Sequence, residues 1–281
     1  NELYKYYVQF LEKYNPKMFV FENVLGIITA KRGEPFADLK KLVDELGYDM
    51  AAKVQIASQH GVLQNRQRVI IVGWKRNVSP KYGYPELEIE DMPYTVMNDL
   101  FSDLPNRKAG EGKLCEPISY TRPLSEMEYL EKSGIRGVLD FTTQHLARPT
   151  NDNDREIYKI AVEMWKDGKR RLNYAKLPVR LQKHKNKETF LNRFSVVDPD
   201  GCCHTVVAHI AMDGHYYIYP TPNPTMDNVR SITVREAARL QSFPDDYFFE
   251  GSRTSALMQI GNAVPVILAY KIAEKIKDIL L

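Results

Sequence analysis

The stretch Gln64-Asn65-Arg66-Gln67-Arg68-Val69-Ile70-Ile71-Val72-Gly73 decides the fold of this chain, because two arginines lead directly into an apolar run. The run predicts a buried strand from Arg68 to Trp74. Residues two apart share a face of a strand, so Arg66 and Arg68 are predicted to point the same way at its mouth. A guanidinium there can bind phosphate or a base oxygen through paired hydrogen bonds. Taken alone, the stretch fits a solvated strand end equally well.

Apolar spacing predicts further elements on the N-terminal side of this strand. They are a helix over residues 2–13, a strand from Met18 to Phe21, a helix from about Pro35 to Leu46 that Gly47 closes, and a strand from Ala51 to Ala57. Strands and helices that alternate, with continuously apolar strands, predict an α/β sheet covered on both faces.

The character of the chain changes after Trp74. Turn-rich sequence begins at Lys81, and the pattern up to Pro220 mixes short strands, loops and one clear helix near Arg155 to Asp167. Helical order resumes at Thr233, which has a glutamate three residues on, the spacing of a capping box. A last helix is predicted from about Val264 to Leu280. Residues 76–228 are therefore interpreted as an insert between residues 1–75 and 229–281, the two halves of one domain.

Composition excludes some classes of protein. No apolar run approaches the ~18 residues needed to cross a bilayer, and no signal-peptide pattern opens the chain. The three cysteines, an odd number, favour reduced thiols and a cytoplasmic setting. The net charge of +3 is too small to indicate a nucleic-acid partner. The segment from Lys169 to Arg193, however, holds nine Lys/Arg and one acid, Glu188, which suits a surface that tracks phosphates or a solvated loop.

Four blocks in order carry a family resemblance. They are Phe19-Val20-Phe21-Glu22-Asn23-Val24, the opening stretch, Arg230-Ser231-Ile232-Thr233-Val234-Arg235-Glu236-Ala237-Ala238-Arg239-Leu240-Gln241-Ser242-Phe243-Pro244, and Gly261-Asn262-Ala263-Val264-Pro265. Together they resemble the later conserved blocks of the cytosine-5 DNA methyltransferases. The resemblance implies the C-terminal part of a Rossmann-like sheet that uses S-adenosylmethionine, with a mixed α+β target-recognition domain inserted at residues 76–228. It also implies double-stranded DNA as partner and a bacterial modification system as setting.

Two earlier blocks of that family are missing from this sequence. One is a Gly-rich turn that cradles S-adenosylmethionine, and the other is a Pro-Cys-Gln loop that supplies the nucleophile. Cys115, Cys202 and Cys203 do not follow a proline. We therefore expect the C-terminal portion of a larger enzyme, cut or split downstream of the nucleophile. Its cofactor pocket is expected to be incomplete and the chain inactive without the N-terminal part or a partner chain that carries it.

The resemblance assigns catalytic roles to four residues. Glu22 matches the glutamate that serves N3 of the cytosine, a task suited to a carboxylic acid at a buried strand end. Arg68 matches the arginine that holds O2 of the cytosine, and Arg66 the arginine nearer the phosphate of the extruded nucleotide. Asn23 resembles the asparagine that steadies the nucleophile loop. The structural alternatives are a Glu22 ion pair with Arg66 or Arg68, and a turn capped by Asn23.

Binding roles follow in the same way. Asn262 and Ala263 resemble the final block that touches the cofactor, with Gly261 allowing a close backbone approach at a helix start. Thr205 resembles the threonine that anchors the backbone beside a flipped base, and flipping is needed because a stacked cytosine is not accessible to attack. Arg170, Arg171 and Lys183 are candidates for the face that tracks DNA phosphates. Adjacent cysteines cannot readily chelate one ion, so no zinc site is predicted at Cys202 and Cys203.

Three functions remain possible from the sequence. The first is a cytosine-5 DNA methyltransferase part. The second is a tRNA cytosine-5 methyltransferase, against which the ~150-residue insert argues, since reading a duplex in the groove needs such a reader. The third is a non-catalytic DNA-binding specificity subunit, which would have no use for a proton donor at Glu22.

Overall fold

The computed structural model describes residues 3–76, 82–186 and 188–281. Glu2 of the predicted first helix, Lys81 of the predicted turn and Lys187 of the basic segment lie outside the described residues. The chain forms two compact units, one of Asn1–Gly61, Arg66–Asp91 and Ile267–Leu281, the other of Val62–Asn65 and Met92–Val266. The stretch 229–266 thus groups with the predicted insert rather than with residues 1–75.

The described residues form the following helices and strands in chain order. The helices are α1 (Leu3–Tyr14), α2 (Gly26–Thr29), α3 (Glu34–Glu45), α4 (Glu128–Lys132), α5 (Asp152–Lys166), α6 (Val234–Leu240), α7 (Arg253–Asn262) and α8 (Val266–Leu280). The strands are β1 (Met18–Asn23), β2 (Tyr48–Ile56), β3 (Gln64–Asn65), β4 (Gln67–Lys75), β5 (Ile118–Ser119), β6 (Phe141–Thr142) and β7 (Cys203–His204). The predicted helices and strands are confirmed, with ends that differ by a few residues.

The first unit is built on the apolar run of the opening stretch. Strand β4 lies in the middle of a three-stranded sheet of order β1-β4-β2 and pairs antiparallel with both neighbours. Residues Val69 to Gly73 are all buried. A β-carbon on Gly73 would lie 2.1 Å from the ring of Phe19, its cross-strand partner, so only glycine leaves room for that ring. The central strand therefore follows from its uninterrupted hydrophobicity.

Helices α1 and α3 cover this sheet with their apolar stripes. The buried cluster consists of Val8, Leu11, Phe19, Ile27, Leu39, Val43, Tyr48, Val69 and Ile71. Proline in the first turn of α3 and Gly47 at a φ of 80° after its end act as the sequence predicts. The prediction of continuously buried strands is wrong for β1 and β2, because Val20 in β1 and Lys53 and Val54 in the middle of β2 are exposed.

The second unit has short strands, and two of its helices, α5 and α6, contribute many buried residues. Helix α5 buries Ile157, Tyr158, Ala161 and Val162 in a cluster that also holds Tyr174 and Phe194. All seven residues of α6 are buried, and the predicted capping box between Thr233 and Glu236 is present. In the described part of the chain, no single helix is long and apolar enough to cross a membrane. Helices α7 and α8, which are joined at a bend, would together reach the required length and apolar composition.

Candidate active site and nucleic-acid interface

The carboxylate of Glu22 and the guanidinium of Arg68 meet at the end of β1. Glu22 lies opposite Ile70, so Arg68, two residues before Ile70, is on the same face and diagonal to Glu22. Arg68 Nε lies 2.8 Å from Glu22 Oε1, with the side chains 12% and 27% exposed. Arg68 Nη1 also donates to the carbonyl of Gln67 at 2.7 Å, which fixes the guanidinium plane. The pairing that the sequence offered as the structural alternative is present, and it leaves the carboxylate reachable from solvent.

Asn23 and Arg66, the other two predicted catalytic residues, make local structural contacts. Asn23 Oδ1 accepts a hydrogen bond from the backbone N–H of Val24 at 2.9 Å, so it closes the local turn after β1. Arg66 lies between β3 and β4 and is only 2% exposed, and its carbonyl accepts from the N–H of Ala57. The two arginines of the opening stretch therefore differ in burial. Their shared face stays a prediction.

The start of the opening stretch joins the segment that contains Thr205. Strand β3 pairs parallel with β7, Gln64 opposite Cys203. Thr205 Oγ1 donates to the carbonyl of Asn65 at 2.8 Å, and the N–H of Val206 donates to Gln64 Oε1 at 2.8 Å. Thr205 is thereby held by backbone and side chain of a segment 140 residues away in sequence.

Two buried glutamines link this segment to the last two blocks. Gln64 Nε2 donates to the carbonyl of Leu240 at 2.7 Å and to Gln241 Oε1 at 2.9 Å. Gln241 Nε2 in turn donates to the carbonyls of Ile260 and Ala263. Sequence reasoning missed both glutamines as connectors. The signal was available, since each lies inside a block that carries the resemblance.

The final block differs from its prediction in one respect. Gly261 and Asn262 end α7 rather than begin a helix, and α8 starts at Val266. The close approach is confirmed, because a β-carbon on Gly261 would lie 2.3 Å from the backbone of Val207 and Ala208. The side chain of Asn262 is exposed at the helix end, and it has no hydrogen-bond partner within the described ranges.

The block around α6 carries buried ion pairs. Arg239 lies between Asp103 and Asp245, with nitrogen–oxygen distances of 2.5 Å to each, and all three side chains are at most 2% exposed. Arg230 and Glu236 form a second buried pair at 2.7 Å. Burial alone would raise the pKa of Glu236, but the charge and hydrogen bonds of Arg230 lower the pKa overall. These charges hold the second unit together and are closed to solvent.

The basic segment is more neutralised than its sequence suggests. Lys169 pairs with Asp198 and Asp200, Arg170 with Asp167, and Arg180 with Glu156. Arg193 is buried. The cations that remain exposed without an acidic partner, among the described residues, are Arg171, Lys176, Lys183 and Lys185. The acids that pair with Lys169, Arg170 and Arg180 lie outside the segment, so counting within it overstated the free positive charge.

Cys202 and Cys203 are not activated thiols. Burial raises the pKa of the Cys203 thiol far above its ordinary value, and that of Cys202 is raised by burial and by Asp198. Within the described residues, no group of His, Cys, Asp and Glu is arranged to hold a metal ion.

The comparison with known families identifies the class of protein. The model of the family "C-5 cytosine-specific DNA methylase" matches residues 1–278, so the chain belongs to that family. The type II methyltransferase M.Bpa9945I of Bacillus paralicheniformis is 40% identical over 293 residues, which cover 100% of this chain and 64% of the relative. The type II methyltransferase M.AgeI of Thalassovita gelatinovora is 28% identical over 345 residues, covering 99% of this chain and 77% of the relative.

A solved structure shows the same fold. It comes from E. coli and is described as a prophage-encoded DNA modification methyltransferase, with a TM-score of 0.61 at 22% identity over 99% of this chain and 74% of that chain. The present chain spans 64% of the length of the Bacillus relative. The activity of a whole enzyme therefore belongs to the proposal that follows.

Proposed function

We propose that this chain is the part of a cytosine-5 DNA methyltransferase that holds the flipped cytosine and reads the duplex around it. The setting is a bacterial modification system in the cytoplasm, as the type II methyltransferase names of the relatives suggest. The observation that carries the proposal is the half-open Glu22–Arg68 pair. Both residues lie in blocks that carry the resemblance, and their pair keeps part of the carboxylate in solvent, whereas the pairs around α6 are closed.

The pair fits the chemistry of the reaction. Carbon 5 of cytosine is a poor nucleophile until a thiolate adds to carbon 6, and negative charge then develops on the ring. In its acid form, the carboxyl group of Glu22 would donate a hydrogen bond to N3 and transfer its proton there, which leaves a carboxylate that Arg68 neutralises. Arg68 would also donate to O2 of the cytosine. Asn23 is assigned to the turn beside the nucleophile loop. Arg66 is assigned to the phosphate of the flipped nucleotide only where its surroundings open, because it is 2% exposed. These assignments rest on the resemblance together with the positions of the residues at the end of β1 and the start of β4.

The thiolate is expected from outside this chain. None of the three cysteines follows a proline, and the pKa values of the half-buried Cys202 thiol and the buried Cys203 thiol are raised. The complementary polypeptide would carry the Pro-Cys-Gln loop and the Gly-rich turn. The chain alone is expected to transfer no methyl group.

The cofactor would be S-adenosylmethionine, which supplies an electrophilic methyl group when bound. Asn262 fits one edge of such a site, because its amide is exposed at the end of α7 and has no partner in the described residues. Gln241 fixes the neighbouring carbonyl of Ala263 at 3.1 Å, which sets the position of this edge. The rest of the site would come from the Gly-rich turn that this sequence does not contain.

Duplex DNA is the proposed partner of the target-recognition region, residues 76–228. Thr205 is held against Asn65 and is assigned to the backbone beside the flipped base. Arg171 and Lys183 are assigned to DNA phosphates, and Arg170 joins them only where DNA displaces Asp167. A specificity subunit without catalysis is disfavoured, because it would not need the partly exposed carboxylate of Glu22.

The substitution Glu22→Gln tests the proposal. The chain is combined with an N-terminal polypeptide that carries the Pro-Cys-Gln loop, and transfer of labelled methyl groups to duplex DNA is measured. Glutamine can hydrogen-bond at N3 but cannot supply a proton, so the rate should fall by ~10²–10⁴. Glu12→Gln, at an exposed position of α1, is the matched control and should leave the rate unchanged.

Two results would contradict the proposal. Transfer by the purified chain alone would mean that one of its own cysteines is the nucleophile. Full activity of the Glu22→Gln enzyme would mean that Glu22 only closes the end of β1.

A further inference from the structure

A loop of the second unit is organised around one buried tyrosine. Tyr174 is fully buried, and its hydroxyl accepts from the N–H of His184 while its own N–H donates to the carbonyl of Leu191, both at 2.8 Å. Its ring stacks on Phe194 with centroids 5.7 Å apart. Both ends of the segment from His184 to Arg193 are thereby tied to the same core residue. We call this segment, apart from Lys187, the Tyr174 loop.

Arg193 braces the interior of the Tyr174 loop. It is only 6% exposed, and its guanidinium carbon lies 4.7 Å from the centre of the Tyr174 ring. Its Nε donates to the carbonyl of Phe190 at 3.0 Å, and its Nη2 donates to the carbonyls of Asn186 and Thr189, both at 2.9 Å. The guanidinium of Arg193 therefore stabilises the backbone of the loop and does not face an outside phosphate.

The brace holds a phenylalanine out into solvent. Phe190 is 66% exposed and has a φ of 54°, a left-handed conformation that is rare for bulky residues. A strained backbone conformation persists only where the surrounding structure imposes it, and such positions cluster at binding sites. Two lysines that are exposed and have no acidic partner in the described residues lie near Phe190 in the sequence: Lys185 within the Tyr174 loop and Lys183 directly before it.

We infer that Phe190 is a wedge that stacks on a base where a DNA duplex is opened. The inference rests on the proposed DNA-binding role of this chain and adds a residue to it. Exposed cations beside an exposed aromatic side chain are the combination with which proteins hold unstacked bases, since every base has a face to stack on. Apolar side chains also enter base steps when the protein contacts offset the unstacking. A loop whose backbone is held by Arg193 suits this task, because Phe190 is presented before DNA binds.

Two duplexes of the same sequence test the wedge without knowledge of the target site. One is fully paired, and the other contains a single abasic position, which leaves a gap in the stack and removes the unstacking cost. Binding of the 281-residue chain is measured by fluorescence anisotropy over a range of salt concentrations. The chain should bind the gapped duplex more tightly by about 5- to 150-fold, the range expected for one base–aromatic stack.

The variants separate stacking from charge. Phe190→Ala should remove the preference for the gapped duplex and leave the salt slope unchanged, while Phe190→Trp should keep the preference. Lys183→Ala should weaken binding to both duplexes alike and flatten the salt slope. Val179→Ala, which removes another exposed apolar side chain of the basic segment, is the matched control and should change neither quantity.

Each outcome decides the inference. A preference that survives in Phe190→Ala, or equal binding of the two duplexes by the unaltered chain, overturns the wedge and leaves the proposed DNA-binding role intact. Failure of the unaltered chain to bind either duplex overturns both. Loss of the preference in Phe190→Ala together with its retention in Phe190→Trp supports the wedge.

Discussion

The two units use the same pair of groups, an arginine and a carboxylate, in opposite ways. In the first unit, Glu22 and Arg68 make one ion pair and keep part of their surface in solvent. In the second, Arg239 binds two carboxylates and the carbonyl of Leu100, and its side chain is 0% exposed. A pair closed on all sides fixes geometry and cannot meet a substrate. Exposure therefore separates these two pairs although their residue types are the same, and the resemblance marks the partly exposed pair as the candidate site.

Removing Arg239 should have the largest effect on stability. The variant Arg239→Ala leaves Asp103 and Asp245 buried without their cation, and breaking such a pair costs about 3–5 kcal/mol. The loss should be visible as a lower denaturant midpoint. Arg155→Ala, which breaks an exposed pair with Asp152 on α5, serves as control and should cost less than about 1 kcal/mol. Similar losses in the two variants would mean that burial does not distinguish them.

Gly261→Ala tests whether the backbone of α7 packs too closely against residues 207–208 to accept a methyl group. The new methyl group would lie 2.3 Å from backbone atoms of Val207 and Ala208, which cannot give way as a flexible side chain does. We expect destabilisation of about 1–3 kcal/mol from overpacking, despite the better helix propensity of alanine. Gly137→Ala, where nothing lies within 4 Å, should be neutral. Equal melting temperatures for the two variants would show that α7 can shift away.

The salt dependence of DNA binding tests whether paired and unpaired cations of the basic segment contribute differently. Arg171, Lys183 and Lys185 are free of acidic partners in the described residues, whereas Lys169 and Arg180 are paired. Replacing the first three with alanine should flatten the log–log salt slope of DNA binding by up to about 0.9 per contact. Replacing the paired two should change the slope less. A reversed order would mean that DNA displaces the acidic partners.

The smallest expected effect is that of Glu22→Gln on stability. A partly exposed ion pair contributes about 0–1 kcal/mol, and glutamine preserves the shape of the side chain. Urea unfolding of the isolated chain should therefore change by less than about 1 kcal/mol. A loss near that of Arg239→Ala would place Glu22 with the structural pairs and remove the contrast between the units.

Local pattern predicted much of the first unit. The apolar run Val69 to Gly73, the stripe of α3 and the glycine after it each act over a few residues, so a single sequence displays them. Glu22 and Arg68 were selected through the resemblance, and their pairing was one of two stated alternatives. What failed was the burial of both faces of β2. Lys53 and Val54 are neighbours and point to opposite faces, and whether each is buried depends on what packs against that face and not on the strand itself.

The sequence by itself determined the order of the elements, the family to which the chain belongs and the residue types at the candidate site, since these follow from local periodicity and short blocks. Only the tertiary structure decided which charges are available. Arg193 and Arg239 belong to basic or charged blocks just as Arg171 and Arg68 do. Arg193 is nevertheless closed by backbone carbonyls of its own loop, and Arg239 by Leu100 and Asp103, which are far away in the sequence. Burial and pairing are properties of neighbours brought together by folding, and a charge count along the chain does not contain them.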